Sequence, residues 1–194
     1  MFNDKFGLTD AVLKGTKTMT RRLINLPEDV QIMSHFYDDE NKTVECITSD
    51  GSVLDLKPAY WFDDIVAVAQ NLKDMGYNPR ATPDGAIWGL DHTAAWRNKM
   101  FVCASQCIHQ IKITDLKVEK LQDISDEDCL KEGIGKFHNI LHPIIIDYGW
   151  SVLGRREVFS SEKTAFAALI DNVSGKGTWE RNPYVFAYSF KLVK

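Results

Sequence analysis

Between Gly15 and Arg22 the chain reads Gly-Thr-Lys-Thr-Met-Thr-Arg-Arg. With Lys14, four positive charges fall within nine residues that hold no acid, in a chain whose formal net charge is -4. A lysine becomes a base or nucleophile when burial or neighbouring cations lower its pKa, and a threonine hydroxyl becomes a nucleophile when a base lies within hydrogen-bond reach. Lys17 and Thr20 are therefore candidate catalytic residues, with Arg21 and Arg22 as ligand-binding cations. In a regular strand Lys17 and Thr20 would point to opposite faces, whereas Thr18, Thr20 and Arg22 would share one. The pair can act together only if the chain bends just after Gly15. The plain alternative is a solvated basic strand end.

A third candidate lies far along the chain. Ser125-Asp126-Glu127-Asp128 has the Ser-x-x-acid form of a helix start, and Gly133 closes the same short helix. Glu132 then occupies the last turn, where the helix dipole disfavours a carboxylate by about 0.3–1 kcal/mol. Lys17 or Arg22 would compensate, giving a carboxylate, an ammonium and a hydroxyl suited to general acid–base work. The alternative is an exposed glutamate at a frayed helix end. Trp179, before Asn182-Pro183-Tyr184, either offers a wall on which a base stacks, worth about 1–3 kcal/mol, or plugs the end of a barrel. Cys103, Cys107 and His109 match no common zinc spacing, so neither metal nor cofactor is expected. His138 and His142 flank an apolar loop and read as surface residues. No phosphate-cradling glycine loop, Gly-x-Ser-x-Gly elbow or His-Glu-x-x-His helix occurs.

The elements that must position these residues are short. Thr9 is expected to cap a helix over 10–14 that Gly15 stops, and 18–24 favours a strand. Strands over 30–37, 42–48 and 52–56 form a meander of hairpins, and 65–69 reads as a buried strand. Residues 71–98, punctuated by Gly76, Pro79, Pro83, Gly85 and Gly89 among Tyr77, Trp88 and Trp96, form a long loop. Residues 100–104 and 108–118 read as extended, with a bulge at Asp115 shifting the apolar phase. A helix over 161–172 carries the stripe Phe166, Leu169, Ile170 and Val173. A last strand over 184–193 puts Tyr184, Phe186, Tyr188, Phe190 and Leu192 on one face. The class is α+β, a small closed or nearly closed β-barrel flanked by short helices.

Composition sets the bounds. The 194 residues fit one domain, 1–194, with a loop-rich insertion at about 71–98. With 44% apolar and 26% charged residues and no run of roughly 20 apolar ones, a membrane span is not expected. The N-terminus lacks the basic and apolar regions of a secretion signal, and the four cysteines lack a disulfide pattern, so a cytoplasmic location is expected. The acidic balance excludes a broad, sequence-blind nucleic-acid coat but not a small basic pocket.

Residues 15–22 resemble the Gly-x-Lys-x-x-(Glu/Thr)-x-Arg motif of the ASCH domains, a family of the PUA-like superfamily of small β-barrels. Leu121-Gln122-Asp123-Ile124-Ser125-Asp126-Glu127-Asp128 with Glu132-Gly133 resembles its second motif, and Trp179 with Asn182-Pro183-Tyr184-Val185 its third. The match is greatest to ASCH proteins common in bacteriophages and prophages. The resemblance implies a PUA-like mixed β-barrel with a cleft lined by Lys17, Thr20 and Glu132. It also implies RNA or a modified nucleoside as partner. A small bacterial member that deacetylates N(4)-acetylcytidine uses a lysine, a threonine and a glutamate that map onto these three positions. Other members are reported as ribonucleases or RNA-binding modules, and a phage accessory interaction domain is a further reading. Where similar phage sequences read Gly-Asp-x-Leu-Trp-Val-Arg-Glu, this chain has Asp63 to Gln70, so Gln70 offers hydrogen bonds where they carry an acid. Where they carry Ser-Arg, this chain has Ile108-His109.

Overall fold

The computed structural model describes residues 2–27, 29–81, 89–142, 145–152 and 158–193, with the side chains of 137–142 and 145–150 excepted. The order is α1 (Leu8–Leu13), β1 (Met19–Leu23), β2 (Ile32–Asp38), β3 (Thr43–Thr48), β4 (Val53–Leu56), β5 (Ile65–Ala67) and β6 (Gln110–Lys120). There follow α2 (Asp126–Lys131), β7 (Ile134–His142), β8 (Ile145–Val152), α3 (Glu162–Ser174), α4 (Thr178–Arg181) and β9 (Tyr184–Leu192). A curled antiparallel sheet ordered β1-β9-β6-β5 forms half a barrel. The meander β2-β3-β4 and the hairpin β7-β8 are separate sheets.

β9 is the strand around which the rest packs. Phe186, Tyr188 and Phe190 enter one core with Val44, Cys46, Ile111, Ile113 and Leu116. Val185 enters a second core with Leu121, Ile124, Phe166 and Leu169. A strand buried on both faces sits at the centre of a domain, and each such side chain contributes roughly 1.5–3 kcal/mol. Leu192, which shares the alternation, is exposed at the end of β9, where the strand still pairs with Ile111 of β6 but the pairing with β1 has ended at Ser189.

Several expectations hold. The meander forms with the strand pairs anticipated. The register of β6 on β9 slips between Ile113 and Asp115, the bulge that keeps Leu116 and Val118 buried. Ser125 caps α2, accepting from the Asp128 N–H at 3.1 Å, and the stripe of α3 is buried apart from Val173.

Others are corrected. Thr9 lies inside α1 rather than at its cap, which is Gly7, and its hydroxyl bonds Asp4. Residues 65–67 form an edge strand paired to β6 alone among the described strands, and Ile65 is exposed; their continuous apolar run reflects Val66 and Val68 rather than burial on both faces. Residues 99–101 and 104–106 are 3-10 turns, capped at Asn98 and Cys103, where extended chain was expected. The segment around His138 and His142 is the strand pair β7-β8, not a loop. Within 71–98 the loop is pinned by Leu72, Met75 and Ala95, while Pro83, Gly85 and Trp88 lie outside the described residues. No helix among the described residues is long and apolar enough to cross a membrane.

Candidate functional site

The bend required after Gly15 is present. Gly15 takes φ +70 at the end of α1, and the Thr16 and Lys17 N–H groups both donate to the Ala11 carbonyl, at 2.9 and 3.0 Å. β1 starts only at Met19, so Lys17 belongs to the wrapped segment and strand parity does not govern it. Thr18 then ties the segment down, its N–H donating to Lys131 O at 2.9 Å and its carbonyl accepting from Phe190 N–H at 2.8 Å.

Lys17 is 2% exposed and meets Glu132, itself 4% exposed, across 115 residues of sequence. Its ammonium donates to Glu132 Oε2 at 2.6 Å and to the Glu132 carbonyl at 2.7 Å. One side chain thus neutralises the carboxylate and caps a carbonyl at the C-terminus of α2, offsetting the unfavourable dipole. Burial lowers the Lys17 pKa; the charge and hydrogen bond of Glu132 oppose that, and Arg22 and Arg21 add to it. The direction follows from desolvation of an ammonium held away from water.

Arg21 completes the cluster. It is 6% exposed, with NH1 3.2 Å from Glu132 Oε1, NH2 2.6 Å from Glu119 Oε1 and 3.4 Å from Asp128 Oδ2, and Nε 3.0 Å from Glu119. Burial pushes the Asp128 carboxyl up, but bonds and charge from Lys131 and Arg21 outweigh it and leave the group lowered. Arg21 stands opposite Ala187 and Glu119 opposite Val185, so both lie on one face of the sheet, on either side of β9. The small Ala187 side chain leaves room for the guanidinium to cross. Glu119 and Asp128 are the residues that sequence reasoning missed. The available signal was that alanine between bulky neighbours, because isolated charges on β6 do not announce a partner two strands away.

Lys17, Thr20, Arg21, Arg22 and Glu132 line one cavity of about 180 Å³. Its other wall is apolar, built from α3 (Leu169, Ile170, Val173) and Phe2. β1 is an edge strand of its sheet, so a cavity along it receives side chains of both parities. Thr20 is half-buried, and its hydroxyl makes no hydrogen bond among the described residues. The cavity therefore has a charged floor already paired and a hydroxyl still unengaged.

The remaining candidates lie elsewhere. Trp179, half-buried, packs edge-on against Phe166 at 6.0 Å beside the second core and is not among the residues that line the Lys17 cavity. Asn182, in the left-handed region at φ +46, accepts from Gln122 N–H at 2.8 Å and lines a different cavity. Gln70 lines a third, beside Asp4, Asp10 and Asp74, and its Oε1 is buried with no partner. Cys103, Cys107 and His109 form no metal cluster; among the described residues no three His, Cys, Asp or Glu converge. All four cysteines are free thiols. No family model matches this sequence, and neither a curated protein nor a solved structure matches it.

Proposed function

We propose that the chain is an ASCH-type, PUA-like domain that takes a modified nucleoside, free or as a base displaced from RNA, into the cavity at Lys17, Thr20, Arg22 and Glu132. The observation that carries this reading is the Lys17–Glu132 pair: the two stretches that resemble the family's first and second motifs supply its two halves at 2.6 Å. The apolar wall suits the face of a base, and the opposite wall offers the unengaged Thr20 hydroxyl to its polar edge. Calorimetric titration with cytidine, N(4)-acetylcytidine and short RNAs tests it. Binding weakened in Thr20→Val is expected, and no heat at millimolar ligand would sink the reading.

The lowered pKa of Lys17 favours a second, catalytic reading, an amidohydrolase acting on an N-acylated nucleobase, in which the ammonium gives up a proton before the reaction begins. A neutral amine has two N–H bonds and one lone pair. Once Lys17 has lost a proton, its two remaining N–H groups serve the Glu132 carbonyl and Oε2, which leaves the lone pair for the incoming proton. In this scheme the amine takes the proton of Thr20 Oγ and the oxygen attacks the acyl carbon. The C–N bond then breaks as Lys17 returns the proton to the departing amino group. Water, deprotonated in the same way, releases the acid and restores Thr20; alternatively the water attacks directly. Glu132 orients the lysine, and Arg22 faces the developing oxyanion. Hydrolysis of N(4)-acetylcytidine abolished in both Lys17→Met and Thr20→Val is the expected result for attack by Thr20. Full activity in Lys17→Met excludes the scheme.

A further inference from the structure

A different cavity, of about 600 Å³, falls within the size range of small-molecule sites. It lies where the end of β1, the end of β6 and the turn between α4 and β9 meet. Its charged side chains are Lys120 and Arg181, both cations, and two amides, Asn25 and Asn182, stand beside them. Lys120 Nζ stands 3.9 Å from the centre of the Tyr184 ring and has no ion pair among the described residues. Arg181 is exposed and gives one hydrogen bond among the described residues, from NH2 to Thr178 Oγ1 at 3.1 Å; its charge reaches the Asp171 carboxylate, whose two oxygens are already taken by the Trp179 and Gly177 N–H groups. Asn182 Oδ1 is fixed as an acceptor by the Gln122 N–H, so its amide nitrogen is a donor, without a partner among the described residues. No described lining residue is an acid. Leu26, Pro27 and Val30 form the apolar side.

Two cations in a lining with no acid among the described residues select an anion, and a site with an apolar side and an aromatic ring selects one that carries a body. We infer that this cavity is a second binding site, for a phosphate-bearing ligand of nucleotide size. It goes beyond the Lys17 reading and does not depend on it. Leu23 lines both cavities, so a phosphodiester strand and a free mononucleotide are the two sources of such a group.

Calorimetry on the full chain at low salt, with adenosine 5′-monophosphate, adenosine and a short oligoribonucleotide, separates them. The phosphate-bearing ligands are expected to bind at least tenfold more tightly than adenosine. Lys120→Gln and Arg181→Gln should each weaken them by about tenfold, the worth of one charge-assisted bond. Thr20→Val should leave the monophosphate unchanged. An oligonucleotide tighter than the monophosphate identifies the strand, and one no tighter identifies the mononucleotide. Absent binding by both overturns the site, as does binding indifferent to both variants. Binding lost only in Thr20→Val places the ligand in the Lys17 cavity, which overturns this inference while leaving the nucleoside reading intact.

Discussion

The two cavities that meet at Leu23 use the same residue types in opposite ways. Beside α2, Lys17 and Arg21 are withdrawn from water and held by three carboxylates, whereas Lys120 and Arg181 make no ion pair among the described residues, although Asp171 feels the charge of Arg181. A buried ion owes its tolerance to its partner, because desolvation costs several kcal/mol that only a close opposite charge offsets. An exposed cation owes little to anything and remains free for a ligand. The first arrangement suits poised chemistry and the second suits capture, so charge removal should hurt folding in one place and binding in the other.

The sharpest break is at Glu132. Glu132→Gln leaves the Lys17 ammonium buried without a counter-charge and is expected to cost about 3–5 kcal/mol in urea unfolding. Lys17→Met should cost less than half of that, since Arg21 NH1 still holds Glu132 at 3.2 Å and the methionine fills the volume. Equal losses would mean that the pair is not asymmetric and that Arg21 does not back it up.

Gly133→Ala comes next, at about 1–3 kcal/mol. Gly133 sits at φ +102 immediately after Glu132, and a Cβ there would lie 3.4 Å from Leu8 Cδ2 and 3.8 Å from Lys17 Cδ. The strain therefore falls on the turn that aims both members of the pair. A neutral result by thermal unfolding would show that the backbone there is not held.

A pH series sharpens the comparison further. The folded Lys17 pKa is below its ordinary 10.5, so between the two values the unfolded chain holds a proton that the folded chain has released, and stability contributed by this group rises with pH. Cys46 and Cys129 act oppositely. Burial pushes them to about 11 and about 12 from 9.0, so above pH 9 the folded chain keeps protons that the unfolded chain has lost, and stability falls. Unfolding in urea under reducing conditions from pH 9 to 10.5 should therefore decline more steeply in Lys17→Met than in the natural chain, by up to about one proton. Identical slopes would mean that Lys17 keeps its ordinary pKa.

What the sequence revealed and hid follows the range of the interactions. Glu132 was legible because a carboxylate at a helix C-terminus is locally wrong and demands a remote cation. The bend at Gly15 was legible because Lys17 and Thr20 break strand parity. The Ser125 cap of α2, the meander and the β6 bulge came from local pattern, whereas Thr9 carries the same capping chemistry and lies inside α1 instead. The partners of Arg21 did not, since Glu119 reaches it only across β9, and strand order is not a local property. The β7-β8 hairpin was hidden by its mixed apolar and polar run with no Asn-Gly or Asp-Gly turn. Trp179, Asn182 and Gln70 were grouped with Lys17 by resemblance, and the fold distributes them to other places.

The smallest expected effect is the most informative for the second cavity. Arg181 is exposed at the end of α4 and makes one described hydrogen bond, to Thr178 Oγ1. Thr178 is itself fully buried and keeps a bond to the Gly175 carbonyl at 2.6 Å, so it does not need the arginine. Arg181→Gln should then shift the unfolding free energy by no more than about 0.5 kcal/mol, as for a surface residue outside any buried network. A loss of 2 kcal/mol or more, on the scale of roughly 3–5 kcal/mol for a broken buried pair, would show that Arg181 is structural. The contrast between the two cavities would then fail at its cheapest point. Unchanged stability with unchanged salt dependence of nucleotide binding would fail it differently, because a free cation at a phosphate site must release counterions when it is used.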